Sequence, residues 1–128
     1  MTGNRCLLDT SIIIHAFRKY NDISEKLDNI PHVYISVTAV GELYFGAYKS
    51  ADSGKHIQRI QSFLNNCFII ETDETTAIIY GKIKANLSQK GKPIPENDIW
   101  IGATAIQYEL PLFTTDSHFR EIDNPQLF

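Results

Sequence analysis

Four carboxylates sit where the character of the chain changes. Asp9 directly follows the apolar run Cys6-Leu7-Leu8, and Asp116 directly follows Leu112-Phe113-Thr114-Thr115. Glu42 is the only Asp, Glu, Lys or Arg between Pro31 and Lys49. Asp98 lies three residues after Pro95, just ahead of Ile99-Trp100-Ile101-Gly102-Ala103. Brought to one place, four such groups would repel one another, and they would either take up protons or share a cation. Ligands that are all oxygen suit Mg2+ or Mn2+, which are held through a few carboxylates with water and substrate phosphates completing the shell. A cation held in this way can activate water, polarise a phosphoryl oxygen and stabilise a leaving oxygen. The chemistry within reach is metal-assisted attack on a phosphodiester.

Taken singly, most of these acids have a plainer reading. Asp9 and Asp116 read as caps for the helices that follow them. Asp98, in a first helical turn, complements the helix dipole. Glu42 resists such a reading. With Thr38 as the N-cap, the capping-box acid would belong at Gly41 rather than Glu42. A carboxylate among Val40, Leu43, Tyr44 and Phe45 is expensive to bury without a cationic partner.

The elements that would carry these acids alternate between short apolar runs and longer amphipathic stretches. Residues 6–9 read as a buried strand ending in an acid. Residues 10–19 read as a helix, although Ile12-Ile13-Ile14 could also extend a strand. A short helix over 23–30 stops at Pro31, and the β-branched and aromatic run 33–37 is a strand. Helices are expected over 38–50 and 53–66, with a strand over 67–71. Asp73 caps a helix to about residue 90, with Ala77, Ile78, Tyr80, Gly81, Ile83 and Leu87 as its core face. Pro95 opens a helix to about 109, since proline suits a first turn. A strand over 112–115, a short helix over 117–121 and the beginning of a last strand over 126–128 complete the pattern. Strands alternating with helices imply an α/β fold, a parallel sheet covered on both faces. In such sheets ligands bind beyond the carboxyl ends of the strands, which is where Asp9 and Asp116 fall.

The 128 residues fit one domain spanning 1–128. Hydrophobic residues make up 43% and charged residues 21%, ordinary for a globular protein. The net charge of −3 argues against a general nucleic-acid-coating role. It leaves a nuclease open, because active-site acids lower the net charge while a cation reverses the local potential. Cys6 and Cys67 sit in apolar runs without zinc-ligand spacing and read as two buried free thiols in a reducing cytoplasm. No signal peptide and no membrane span are expected.

The chain resembles the PIN-domain ribonucleases, specifically VapC-type toxins of bacterial toxin–antitoxin pairs. The resemblance rests on LLDTSIIIHAF, VTAVGELYFGAYKS, ENDIWIGATA and LFTTDSHFREI in that order. It implies a three-layer α/β/α sandwich around a central parallel sheet, Mg2+- or Mn2+-dependent cleavage of RNA, a small antitoxin as partner, and a homodimer. By the same resemblance Asp9 and Asp98 match the principal metal-binding aspartates, and Glu42 and Asp116 complete the quartet. Ser11 and Thr114 match positions whose hydroxyls support the site. Glu96-Asn97 ahead of Asp98 departs from a plainer lead-in, and the last strand is expected to be short. Whether one or two cations operate stays open.

Other side chains have simpler roles. His15 and His118 read as structural histidines, although either could reach a phosphate. Arg18, Lys19, Lys49, Lys55 and Arg59 could line an RNA path or simply face solvent. Tyr44, Phe45 and Trp100 could stack bases but read as core or subunit-interface residues. A receiver-like phosphoacceptor fails because the strands at 33–37 and 67–71 lack an acceptor aspartate. A DxD phosphatase fails because Asp9 is followed by Thr10-Ser11-Ile12. A PIN-like binding module without turnover is the remaining alternative.

Overall fold

Cys6, Leu7 and Leu8 are all fully buried. Successive strand residues point to opposite faces, so the sheet is covered on both sides at this strand. That is the signature of three layers rather than two. The structure, a computed structural model, describes residues 4–18, 22–123 and 126–127. Its strands are β1 (Arg5–Leu8), β2 (His32–Ser36), β3 (Phe68–Ile70) and β4 (Leu112–Phe113). Its helices are α1 (Thr10–Phe17), α2 (Ile23–Asp28), α3 (Val37–Tyr48), α4 (Ser53–Leu64), α5 (Glu74–Lys90) and α6 (Glu96–Gln107), with a 3-10 helix over Ser117–Glu121.

The sheet is parallel throughout, in the order β3-β2-β1-β4. The chain steps from β1 outward to β2 and β3, then returns to the other side of β1 with β4. Right-handed crossovers carry α1 to α4 over one face and, after this reversal, α5 and α6 over the other. Within these layers α1 packs on α2 and α3, α3 on α4, and α5 on α6, and α3 also meets α6. The reversal creates a switch point between β1 and β4, where open parallel sheets bind ligands. Leu8 pairs with Phe113, and the Asp9 N–H donates to the Phe113 carbonyl at 3.0 Å. Asp9 and Thr114 are therefore neighbours at the carboxyl edge.

The α6 helix is buried on almost every side, from Asp98 to Ala105 with only Trp100 partly open. Small residues make this possible. A Cβ added at Gly102 would lie 2.8 Å from Ile122 Cδ1, so the glycine admits the chain that follows the 3-10 helix. Phe119, fully buried, anchors that 3-10 helix.

Several expectations need correction. Val37 belongs to α3 rather than to the strand, because Ser36 is the N-cap and accepts from the Ala39 N–H at 3.2 Å. Thr38 is thus not the cap. On α5 the buried residues are Thr76, Ile83 and Leu87, with Ile79 and Tyr80 partly buried. Ala77, Ile78 and Gly81 face outward. Thr76 turns inward because the capping box with Asp73 and a bond to the Gln107 side chain satisfy it there. Pro95 is the N-cap of α6 rather than its first residue. The β3 strand is an edge strand with Phe68 and Ile69 exposed, and Cys67 is only partly buried. Burial still pushes the Cys6 thiol up to about 12 and the Cys67 thiol up to about 11, so both stay protonated. The expected last strand is a single parallel bridge between Leu112 and Leu127. Lys19 and Phe128 lie outside the described residues.

Candidate metal centre

Asp9 leaves β1 with extended backbone and becomes the N-cap of α1. Its Oδ1 accepts from the Thr10 N–H at 2.8 Å. Its Oδ2 accepts from the Ser11 hydroxyl and from the Thr114 hydroxyl, each at 2.7 Å. Thr114 Oγ1 in turn accepts from the Asp116 N–H at 2.9 Å. The hydroxyl of Thr114 therefore links the carboxylate after β1 to the backbone after β4. Asp9 is only 3% exposed, and three donors compensate its charge.

Asp98 and Asp116 meet at one ring nitrogen. His118 Nδ1 lies 3.0 Å from Asp98 Oδ2 and 3.0 Å from Asp116 Oδ1. Asp116 also caps the 3-10 helix, accepting from the His118 N–H at 2.9 Å. Asp98, in the first turn of α6, is 8% exposed. Burial, and to a lesser degree the negative charges of Asp116 and Asp9, push its carboxyl up to about 6, against the lowering effect of the His118 bond. The imidazole is raised in turn, first by its bond to Asp98 and then by Asp116. Burial is the main cause at Asp98 and the bond to Asp98 the main cause at His118, so the two shifts report a carboxyl taken out of water with an imidazole beside it.

Glu42 is placed differently from the expectation of a buried acid. It is half-buried and lines a groove shared by Thr10, Arg18, Phe45, Lys49 and Trp100. Its Oε1 accepts from the Thr10 hydroxyl at 2.6 Å. Thr10 thus touches both Asp9 and Glu42, a link that adjacency to Asp9 in sequence did not reveal. Its partial exposure to the groove lowers the desolvation cost that made Glu42 hard to explain.

Among the described residues, Asp98, Asp116 and His118 form the one group of three acidic, imidazole or thiol side chains whose ligand atoms all lie within 4.8 Å of one another. Asp9 adjoins this group through the Thr114 hydroxyl rather than sharing its spacing. The carboxylates of this set suit a divalent cation of the Mg2+ or Mn2+ kind, and its one imidazole suits a transition ion. His118, read from sequence as structural, stands in the site. Its only sequence signal was its position two residues after Asp116.

The remaining candidates divide. Arg18 and Lys49 line the groove with Glu42. Arg59 lines an adjoining depression and lies over the Phe17 ring. Lys55 lines neither of these two. Phe45 is 67% exposed rather than core, and Lys49 sits over its ring. Trp100 stacks on Tyr80 with ring centroids 4.0 Å apart. His15 is half-buried on α1.

The PIN domain profile matches residues 6–125. The chain is 38% identical over 101 residues to ribonuclease VapC2 of Haemophilus influenzae, covering 77% of this chain and 76% of that protein. In structure it is similar to VapBC2 from Rickettsia felis bound to a DNA fragment from its promoter, with a TM-score of 0.89, 28% identity and 97% of each chain covered. It is similar again to DNA-bound VapBC from Salmonella typhimurium, with a TM-score of 0.90 and 26% identity over 98% of this chain and 97% of that one. A profile match over nearly the whole length, a parallel sheet with acids at its switch point and a ribonuclease relative at this identity lead to one conclusion: the chain belongs to the PIN-domain family, among its VapC members.

Proposed function

We propose that this chain is a metal-dependent endoribonuclease that hydrolyses RNA phosphodiester bonds and serves as the toxin of a toxin–antitoxin pair. The observation that carries the reading is the meeting of Asp98 and Asp116 at one His118 nitrogen, beside a hydroxyl-bound Asp9, at the sheet's switch point. The ribonuclease name of the Haemophilus relative supports the activity. The VapBC complexes among the structural neighbours support a small antitoxin protein as partner.

Asp98, Asp116 and Asp9 would hold Mg2+ or Mn2+, with Glu42 at the groove side. When bound, such a cation neutralises phosphate charge and makes water a better nucleophile. The chain's own residues do the rest. Ser11 and Thr114 fix the Asp9 carboxylate with two hydroxyl donors. Thr10 orients Glu42 toward the groove. Arg18 and Lys49 along that groove would balance backbone phosphates, and the faces of Phe45 and Trp100 offer stacking to unpaired bases. A homodimer in the reducing cytoplasm belongs to the same reading, with the exposed Tyr48 on α3 as apolar surface available for burial.

The test uses purified protein freed of any antitoxin. It cleaves RNA with added Mg2+ or Mn2+ and stops with EDTA. Asp9→Asn abolishes cleavage yet keeps the fold, because asparagine caps a helix as well as aspartate. Cleavage that persists through both treatments overturns the reading. A neighbouring reading frame for a small DNA-binding protein is the corresponding check on the partner.

A further inference from the structure

His118 is held more firmly than an exposed histidine needs to be. Its backbone N–H is bound by Asp116, the next residue Phe119 is fully buried, and its ring is still 46% exposed. Position is therefore imposed on the ring while one side remains open. Its Nδ1 lies 3.0 Å from an oxygen of each of two acids, one from α6 and one from the cap of the 3-10 helix. Adjacent ligands of an octahedral cation at Mg2+-like bond lengths are about 3 Å apart. The two nitrogen–oxygen distances thus match neighbouring corners of one coordination shell, and the ligand atoms of the three residues lie within 4.8 Å of one another.

We propose that His118 Nδ1 is a direct ligand to the cation and shifts the site's preference from Mg2+ toward Mn2+. The inference rests on the metal-dependent reading above and deepens it by naming the ion. Mg2+ is hard, keeps oxygen ligands and gives up its water reluctantly. Imidazole suits transition ions far better. An all-carboxylate site has no such bias, so a single nitrogen sets the discrimination. Removal of His118 costs mainly Mn2+ binding, because Mg2+ gains little from the nitrogen.

The experiment loads metal-free protein with Mn2+ and reads binding by electron paramagnetic resonance, with Mg2+ measured by competition. Wild type is expected to bind Mn2+ at least tenfold more tightly than Mg2+. His118→Ala and His118→Asn are expected to lose about tenfold in Mn2+ affinity and to leave Mg2+ affinity within about threefold. Electron spin echo envelope modulation of the Mn2+ protein shows a directly bound imidazole nitrogen. That signal changes on 15N-histidine labelling of the wild type, a readout that needs no variant to fold, and is absent in both variants. Mn2+ bound in an Asp98-dependent manner without nitrogen coupling, or an unchanged Mn2+/Mg2+ ratio in the variants, overturns the role of His118 and leaves the carboxylate site standing. Mn2+ binding that Asp98→Asn does not weaken overturns both.

Discussion

Each acid at the edge of the sheet has a structural task beside the chemical one proposed for it. Asp9 caps α1, Asp116 caps the 3-10 helix, and Asp98 lies in the first turn of α6. Thr114 binds these tasks together, donating to Asp9 and accepting from the Asp116 N–H. Thr114→Val keeps the shape and removes both bonds. It is expected to lower stability by roughly 1–2 kcal/mol in urea unfolding and to slow RNA cleavage about tenfold or more, since Asp9 loses one of its two hydroxyl donors. Asp98 gives a pH prediction. Its folded carboxyl titrates at about 6, above the unfolded value of 3.8, so the folded state binds the proton more tightly. The stability this confers is present below the unfolded value and is lost as pH rises through about 6. His118, also raised, acts in the same direction. In EDTA, Asp98→Asn is therefore expected to flatten the pH profile of thermal unfolding. Above pH 7 it should be more stable than wild type by about 1–2 kcal/mol; a variant less stable there contradicts the cost of burying the Asp98 charge.

Helix ends show which rules act locally and which are overridden. Gly91 closes α5 in the left-handed region at φ 66°, where a residue without Cβ belongs. Glu109 closes α6 at φ 52° in the same region, with the Leu110 N–H reaching back to the Ala105 carbonyl. Glu109 carries both a Cβ penalty and a negative charge beside the negative end of the helix. Glu109→Gly is expected to raise stability by roughly 0.5–1 kcal/mol, measured by the denaturation midpoint, with cleavage unchanged. Most element positions were readable from periodicity and caps: α5 begins at Asp73 as its capping residue, and the 3-10 helix covers 117–121 as expected. The errors fall at boundaries and faces. Val37 is β-branched and suits a strand, but the Ser36 hydroxyl captures the Ala39 N–H and starts α3 earlier. On α5, Ala77 and Ile78 look like core residues by type, yet Thr76 is the one turned inward, held by Asp73 and Gln107. Hydrophobicity alone could not anticipate that polar exchange.

At the scale of the whole molecule, a cation that binds only the folded state stabilises it by mass action. At a hundredfold excess over its dissociation constant, Mn2+ is expected to add about 2.7 kcal/mol to wild type, seen as a rise of several degrees in melting temperature. Asp98→Asn should lose most of that rise. The four acids, their types and their places at segment ends could all be read from the chain. Asp9 follows β1 directly and reaches the carboxyl edge whatever the topology, whereas Asp116 lies beyond Thr114 and Thr115 after β4 and is held there as the cap of the 3-10 helix. How the acids are partnered is not a local property. The order β3-β2-β1-β4 sets β4 against β1 and so brings Thr114 to Asp9. Burial of α6, with Gly102 admitting Ile122, brings Asp98 to His118. The same packing leaves Glu42 on an open groove instead of in the core. Residue type and spacing announce a cluster of charge, but contacts between residues a hundred positions apart depend on which strands become neighbours, and that was settled by packing.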